Sequence, residues 1–128
     1  MKFKLLFFTF FSLLFLRCNF AGDCKNHVVK ELENENKTFK IVKFDRGCGT
    51  TTGNSIQISI IKADDKLPNE GGNALVIDSK VGLYLERDTS IYFRWVDNNS
   101  VEMKCDTDLI FYQKESVVNG IKIIYIKK

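Results

Sequence analysis

Apolar and polar residues alternate with a period of two through most of this chain, and that rhythm restricts the fold more than any other feature. Phe39, Ile41 and Lys43 oppose Lys40, Val42 and Phe44; Ile56, Ile58 and Ile60 alternate with Gln57 and Ser59; Ile91, Phe93 and Trp95 alternate with Tyr92 and Arg94. The pattern returns at Val101, Met103 and Cys105 and again at Ile121, Ile123 and Tyr125. Successive side chains of a strand point to opposite faces, so these are strands with one face on a core. Val28 to Leu32 reads as a further strand, because Asn34, Asn36 and Thr38 would end a helix begun there.

Turn formers separate the runs at Asn34 to Lys37, Gly47 to Asn54, Leu67 to Asn73, Asp97 to Ser100 and Asn119-Gly120. Asn98-Asn99 suits a tight hairpin, since asparagine tolerates positive φ. The spacing predicts an all-β domain, a single small sandwich or open barrel of about seven or eight antiparallel strands. Strand order is left open by the pattern.

The start of the chain has a different composition. Lys2 and Lys4 precede an apolar run from Leu5 to Leu16 broken only by Thr9 and Ser12. That run is about 12 residues long, where a membrane-spanning helix needs about 20. Its length and basic flank match a secretory signal, placed at residues 1–22. Two kinds of processing are open: removal before Cys18, whose thiol would then carry lipid, or ordinary cleavage after Ala21 or Gly22. Arg17 departs from the small residue that normally precedes a lipid-carrying cysteine.

Three of the 19 lysines and arginines, Lys2, Lys4 and Arg17, fall in that segment, which contains no acid. The remainder is formally neutral, so a sequence-independent grip on nucleic acid lacks its basic footprint. Residues 23–128 suffice for one domain with one core.

The cysteines after the signal are Cys24, Cys48 and Cys105. In an oxidising compartment a pair is expected to close. Cys24 precedes the first strand and Cys48 follows the second, so a hairpin turning at Asn34 to Lys37 brings them together, and a Cys24–Cys48 bridge is predicted. The chain-entropy model assigns such a loop about 3 to 4 kcal/mol. Cys105 keeps phase with Val101 and Met103 and reads as a buried thiol, with pairing to Cys18 or Cys24 as the alternative. Zinc would need Cys24, His27, Cys48 and Cys105 together, and the last two lack the closely spaced partners of structural zinc sites.

The stretch "RGCGTTTGNS" does not make a phosphate loop, because no lysine follows Gly53 and a strand comes next. No motif announces a catalytic triad, and His27 is the single histidine. Asp64, Asp65, Asp97, Asp106 and Asp108 could supply an acid and base pair for a small carboxylate-dependent hydrolase, yet each falls at a loop or strand end, where solvated charge is the ordinary case. No cofactor, metal or catalytic residue is assigned.

The run "CKNHVVKELENENKTFKIVKFDRGCGTTTGNSIQISII", followed by "LPNEGGNALVID" and a late "RW", resembles a group of small exported bacterial proteins, often described as lipoproteins of unknown function. Their pattern is a cysteine near the mature start, a Ser-Pro-Asp-Gly turn, a strand ending in Arg-Asp-Cys-Gly-Ala-Thr-Thr-Gly, and a Gly-Gly-Asn segment leading into another strand. Arg46, Cys48, Gly49, Thr51, Thr52, Gly53, Gln57, Ser59, Gly71, Gly72, Asn73 and Trp95 carry the resemblance. The chain departs from it at Glu35 to Lys37 in the turn, at Gly47 in place of aspartate, and at Arg17. The resemblance implies an address in the cell envelope and a paired cysteine arrangement, and it implies no activity.

The functional expectation is an exported, non-catalytic binding or interaction module at the bacterial cell envelope, with a protein or glycan partner. An envelope inhibitor or immunity-type protein is the alternative. Thr51, Thr52 and Asn73 form the candidate recognition loop, since exposed loops on a rigid β scaffold commonly carry recognition. Tyr84, Tyr92, Tyr112 and Tyr125 are candidate contact residues or packing residues.

Overall fold

The structure, a computed structural model, describes residues 23–49, 54–78 and 90–127. The signal-type segment with Cys18, the Thr51 and Thr52 pair and Tyr84 lie outside the described residues.

Nine strands occur among the described residues: β1 (Lys25–Glu33), β2 (Phe39–Gly47), β3 (Ser55–Lys62), β4 (Leu75–Asp78), β5 (Ile91–Asp97), β6 (Ser100–Cys105), β7 (Phe111–Lys114), β8 (Val117–Val118) and β9 (Ile121–Lys127). They form a five-stranded sheet in the order β1-β2-β3-β4-β7 and a four-stranded sheet in the order β5-β6-β9-β8. The fold is the expected small all-β sandwich.

The alternating residues meet between the sheets. Ile41, Ile56, Ile58, Ile60, Leu75 and Ile77 of the first sheet pack with Ile91, Phe93, Val101, Met103, Ile121 and Ile123 of the second. Each fully buried aliphatic or aromatic side chain contributes about 1.5 to 3 kcal/mol.

Not every strand runs antiparallel to its neighbours as expected. β6 and β9 pair in parallel, from Ser100 with Lys122 to Cys105 with Lys127. Parallel neighbours need a crossover rather than a tight turn. Here the crossover passes through β7, an edge strand of the opposite sheet, and returns by β8.

The one-face-buried reading also fails for β2 and β3, which are buried along both faces. On the outer face Val42, Phe44 and Ile61 form a second small core with Leu67, contributed by the connection between β3 and β4. A chain segment laid over a sheet gives its strands a second dry side.

Two turns show positive φ where the sequence has turn formers. Asn119 (φ 50°) and Gly120 (φ 78°) both take left-handed values between β8 and β9, as a two-residue hairpin of the primed type requires. Lys37 (φ 54°) ends the β1–β2 turn in the same region without being glycine. Asn34 holds that turn: its Oδ1 accepts from the amides of Thr38 (2.9 Å) and Phe39 (3.1 Å).

Candidate functional site

Cys24 and Cys48 are joined in a disulfide. Lys25 faces Gly47 in the β1–β2 ladder, so the bridge continues that ladder by one pair. It takes up two of the four sulfur and nitrogen groups that a zinc site would have used, and Cys105 is a free, buried thiol.

Beside the bridge, the residues of the resemblance build a strap. Arg46 Nη1 donates to Asn26 Oδ1 (2.7 Å) and Asn69 Oδ1 (3.3 Å), and Asn26 Nδ2 donates to the carbonyls of Pro68 and Glu70. Asn69 in turn donates to the Cys24 carbonyl at 2.9 Å. Further along, Gln57 Oε1 accepts from the Gly72 amide and Ser59 Oγ accepts from the Asn73 amide. Gly72 has no room for a side chain, because a Cβ there would lie 2.8 Å from the Ile58 carbonyl oxygen and 3.0 Å from that of Leu75. These contacts press the β3–β4 connection onto the outer face of β2 and β3.

Asn73 is therefore a holding residue of this loop. Its Oδ1 accepts from the Ile60 amide (2.9 Å) and its Nδ2 donates to the Ile60 carbonyl (3.0 Å), the pairing a neighbouring strand would offer. Both ends of its amide are occupied within the fold.

On the inner face near the bridge, Asp45 stands opposite His27 in the ladder. Its carboxylate is buried; Oδ2 accepts from Asn54 Nδ2 at 2.9 Å, while Oδ1 has no hydrogen-bond partner among the described residues. Burial pushes this carboxyl above the ordinary carboxylate value of 3.8, with His27 and the Asn54 amide pulling the other way. Of the acids that could form a catalytic pair, Asp97 and Asp106 lie apart: Asp97 accepts from the Asn99 amide in the β5–β6 turn, whereas Asp106 follows the opposite end of β6. Among the described residues no group of three His, Cys, Asp or Glu side chains could hold a metal ion.

Two surfaces among the described residues are candidates for contact with other molecules. The outer face of the second sheet exposes Tyr92 and Val96 on β5, Val117 on β8, and Ile124 and Ile126 on β9. Arg94 and Glu102 cross this face as a register pair, with Nε to Oε1 at 3.0 Å and Nη2 to Oε2 at 3.1 Å. The guanidinium holds the Glu102 carboxyl below its ordinary value.

The second surface is a cavity of about 260 Å³ where β7 meets the ends of β6 and β9. Cys105, Phe111 and Tyr125 line it, and Asp106, Lys114 and Lys127 bring its charge. Lys114 Nζ lies 4.8 Å from the Phe111 ring centroid and 4.4 Å from that of Tyr125. Burial pushes the Cys105 thiol and the Tyr125 phenol upward, so both stay protonated, and the Tyr125 hydroxyl donates to the Glu115 carbonyl at 2.6 Å. Of these residues only Cys105, Asp106 and Tyr125 stand out in the sequence. β7 is four residues long, too short for its alternation to announce Phe111 and Lys114.

Comparison with known proteins finds no matching family model, no similar curated protein and no similar solved structure.

Proposed function

We propose that the chain is an exported, non-catalytic β domain that acts as a binding or interaction module at the bacterial cell envelope, with a protein or glycan as its partner. The observation that carries this reading is the outer face of the second sheet, where Tyr92, Val96, Val117, Ile124 and Ile126 stand exposed on paired strands. Apolar and aromatic side chains gathered on one rigid face are what recognition surfaces use. The Cys24–Cys48 bridge is compatible with an oxidising compartment. The signal-type pattern of residues 1–22 and the resemblance to small exported proteins support the envelope address.

The chemistry near the cavity favours binding over catalysis. A thiol and a phenol held protonated are poor nucleophiles and poor bases. An envelope inhibitor or immunity-type protein is the same reading with a specific target.

Photo-crosslinking in intact cells tests it. A photoreactive phenylalanine at position 92 should give one discrete product, lost in the variant Ile124→Asp, while the same probe at Glu35 gives none. A stoichiometric enzyme or toxin in that product identifies an inhibitor. An identical spread of products from both positions would remove the binding face.

A further inference from the structure

The cavity between β7 and the ends of β6 and β9 has the composition of a ligand site. Its size, about 260 Å³, lies just below the usual range of small-molecule pockets, which begins at about 300 Å³, and so suits a ligand of few atoms. The Phe111 and Tyr125 rings and the Cys105 sulfur offer apolar and polarisable surface. Around them stand two ammonium groups, Lys114 and Lys127, against one carboxylate, Asp106, so the lining carries net positive charge.

We infer that this cavity binds a small organic anion with an apolar body, of the arylcarboxylate class. The apolar part would lie against Phe111, Tyr125 and Cys105, and the carboxylate would take charge-assisted hydrogen bonds from Lys114 and Lys127. The placement of Lys114 disfavours the opposite charge. Its ammonium already occupies both ring faces at cation–π distance, so an organic cation would have to displace it, whereas an anion adds a partner to it. The neutral thiol and phenol add no negative charge of their own to the lining, and the Glu115 carboxylate acts on Tyr125 from outside it. This site is separate from the outer face of the second sheet, and the inference does not depend on a partner binding there.

Titration of the isotope-labelled protein followed by amide NMR tests the inference, with phenylacetate as probe, 2-phenylethylamine as the same body with opposite charge, and acetate as the same charge without the body. Phenylacetate should shift the amides of Cys105, Phe111, Lys114 and Tyr125 and saturate at about millimolar concentration, as a ligand of so few atoms allows. Acetate and the amine should bind at least about tenfold more weakly, and Lys114→Gln and Lys127→Gln should each weaken phenylacetate by about tenfold. Lys114 is exposed, so its variant should keep the remaining spectrum and report on binding alone. Ile124→Asp, which should abolish partner crosslinking, should leave phenylacetate binding unchanged. Equal responses to the amine and to phenylacetate, shifts confined to other residues, or undiminished binding in the double lysine variant would each overturn the assignment.

Discussion

At the scale of single residues, Asp45 is a carboxylate held in its place at a cost. It is buried on the inner face with one oxygen unpaired among the described residues, and burial raises its folded pKa above 3.8. A carboxyl with a raised folded pKa binds its proton more tightly folded than unfolded, so stability falls as pH climbs from 3.8 through the folded value. The penalty is complete at neutral pH. Asp45→Asn keeps an oxygen for the Asn54 amide and removes the charge, so it should be more stable than the parent by about 1 kcal/mol at pH 7. The advantage should vanish near pH 3, where the parent carboxyl is protonated in both states. Urea midpoints across that range check it, and a variant less stable at pH 7 would mean that the ionised carboxylate is favoured by its surroundings. Asp45 could not be singled out in the sequence, because it occupies an ordinary position of the β2 alternation and its discomfort arises from what covers that strand.

At the scale of elements, the bridge and the strap form one unit. The bridge fixes the start of β1, and that start supplies both the Cys24 carbonyl and the Asn26 side chain to which Pro68, Asn69 and Glu70 are tied. Replacing both cysteines by serine should cost about 3 to 4 kcal/mol through the freed unfolded chain. The same change should raise amide hydrogen exchange in residues 69–73 well beyond the rise at Met103 and Ile123. Equal rises everywhere would show that the strap does not depend on the bridge. The pairing was legible because two strand-flanking cysteines and one turn leave a hairpin little choice. The strap was not legible: Arg46, Gln57, Ser59 and Gly72 stood in the sequence without a role and Asn73 as a candidate recognition residue, whereas all five serve a loop crossing an outer face, and local periodicity carries no information about which segment lies over which sheet.

At the scale of the whole molecule, the strands and the sandwich were readable from alternation, while the parallel β6–β9 pair was not, since parallel pairing depends on the path of the intervening β7 and β8. The two sheets meet through their core and through polar ties. Trp95 Nε1 of the second sheet donates to the Leu32 carbonyl of the first at 2.9 Å. Asn34 reaches from the β1–β2 turn to the Asn98 carbonyl at 3.1 Å, and Asn98 Oδ1 accepts from the Asn36 amide at 2.9 Å. Because the buried Asn34 serves both its own turn and the opposite hairpin, Asn34→Ala removes four side-chain hydrogen bonds and should cost about 2 to 4 kcal/mol. If the sandwich unfolds as one cooperative unit, the loss should lower the urea midpoint equally for both sheets. Fluorescence of Trp95, the single tryptophan, reports on the second sheet, and NMR intensities of Ile58 and Ile60 report on the first. Coincident transitions at a lower midpoint are expected; a first sheet that melts ahead of Trp95 would show that the asparagine tie holds together two units with separate stabilities.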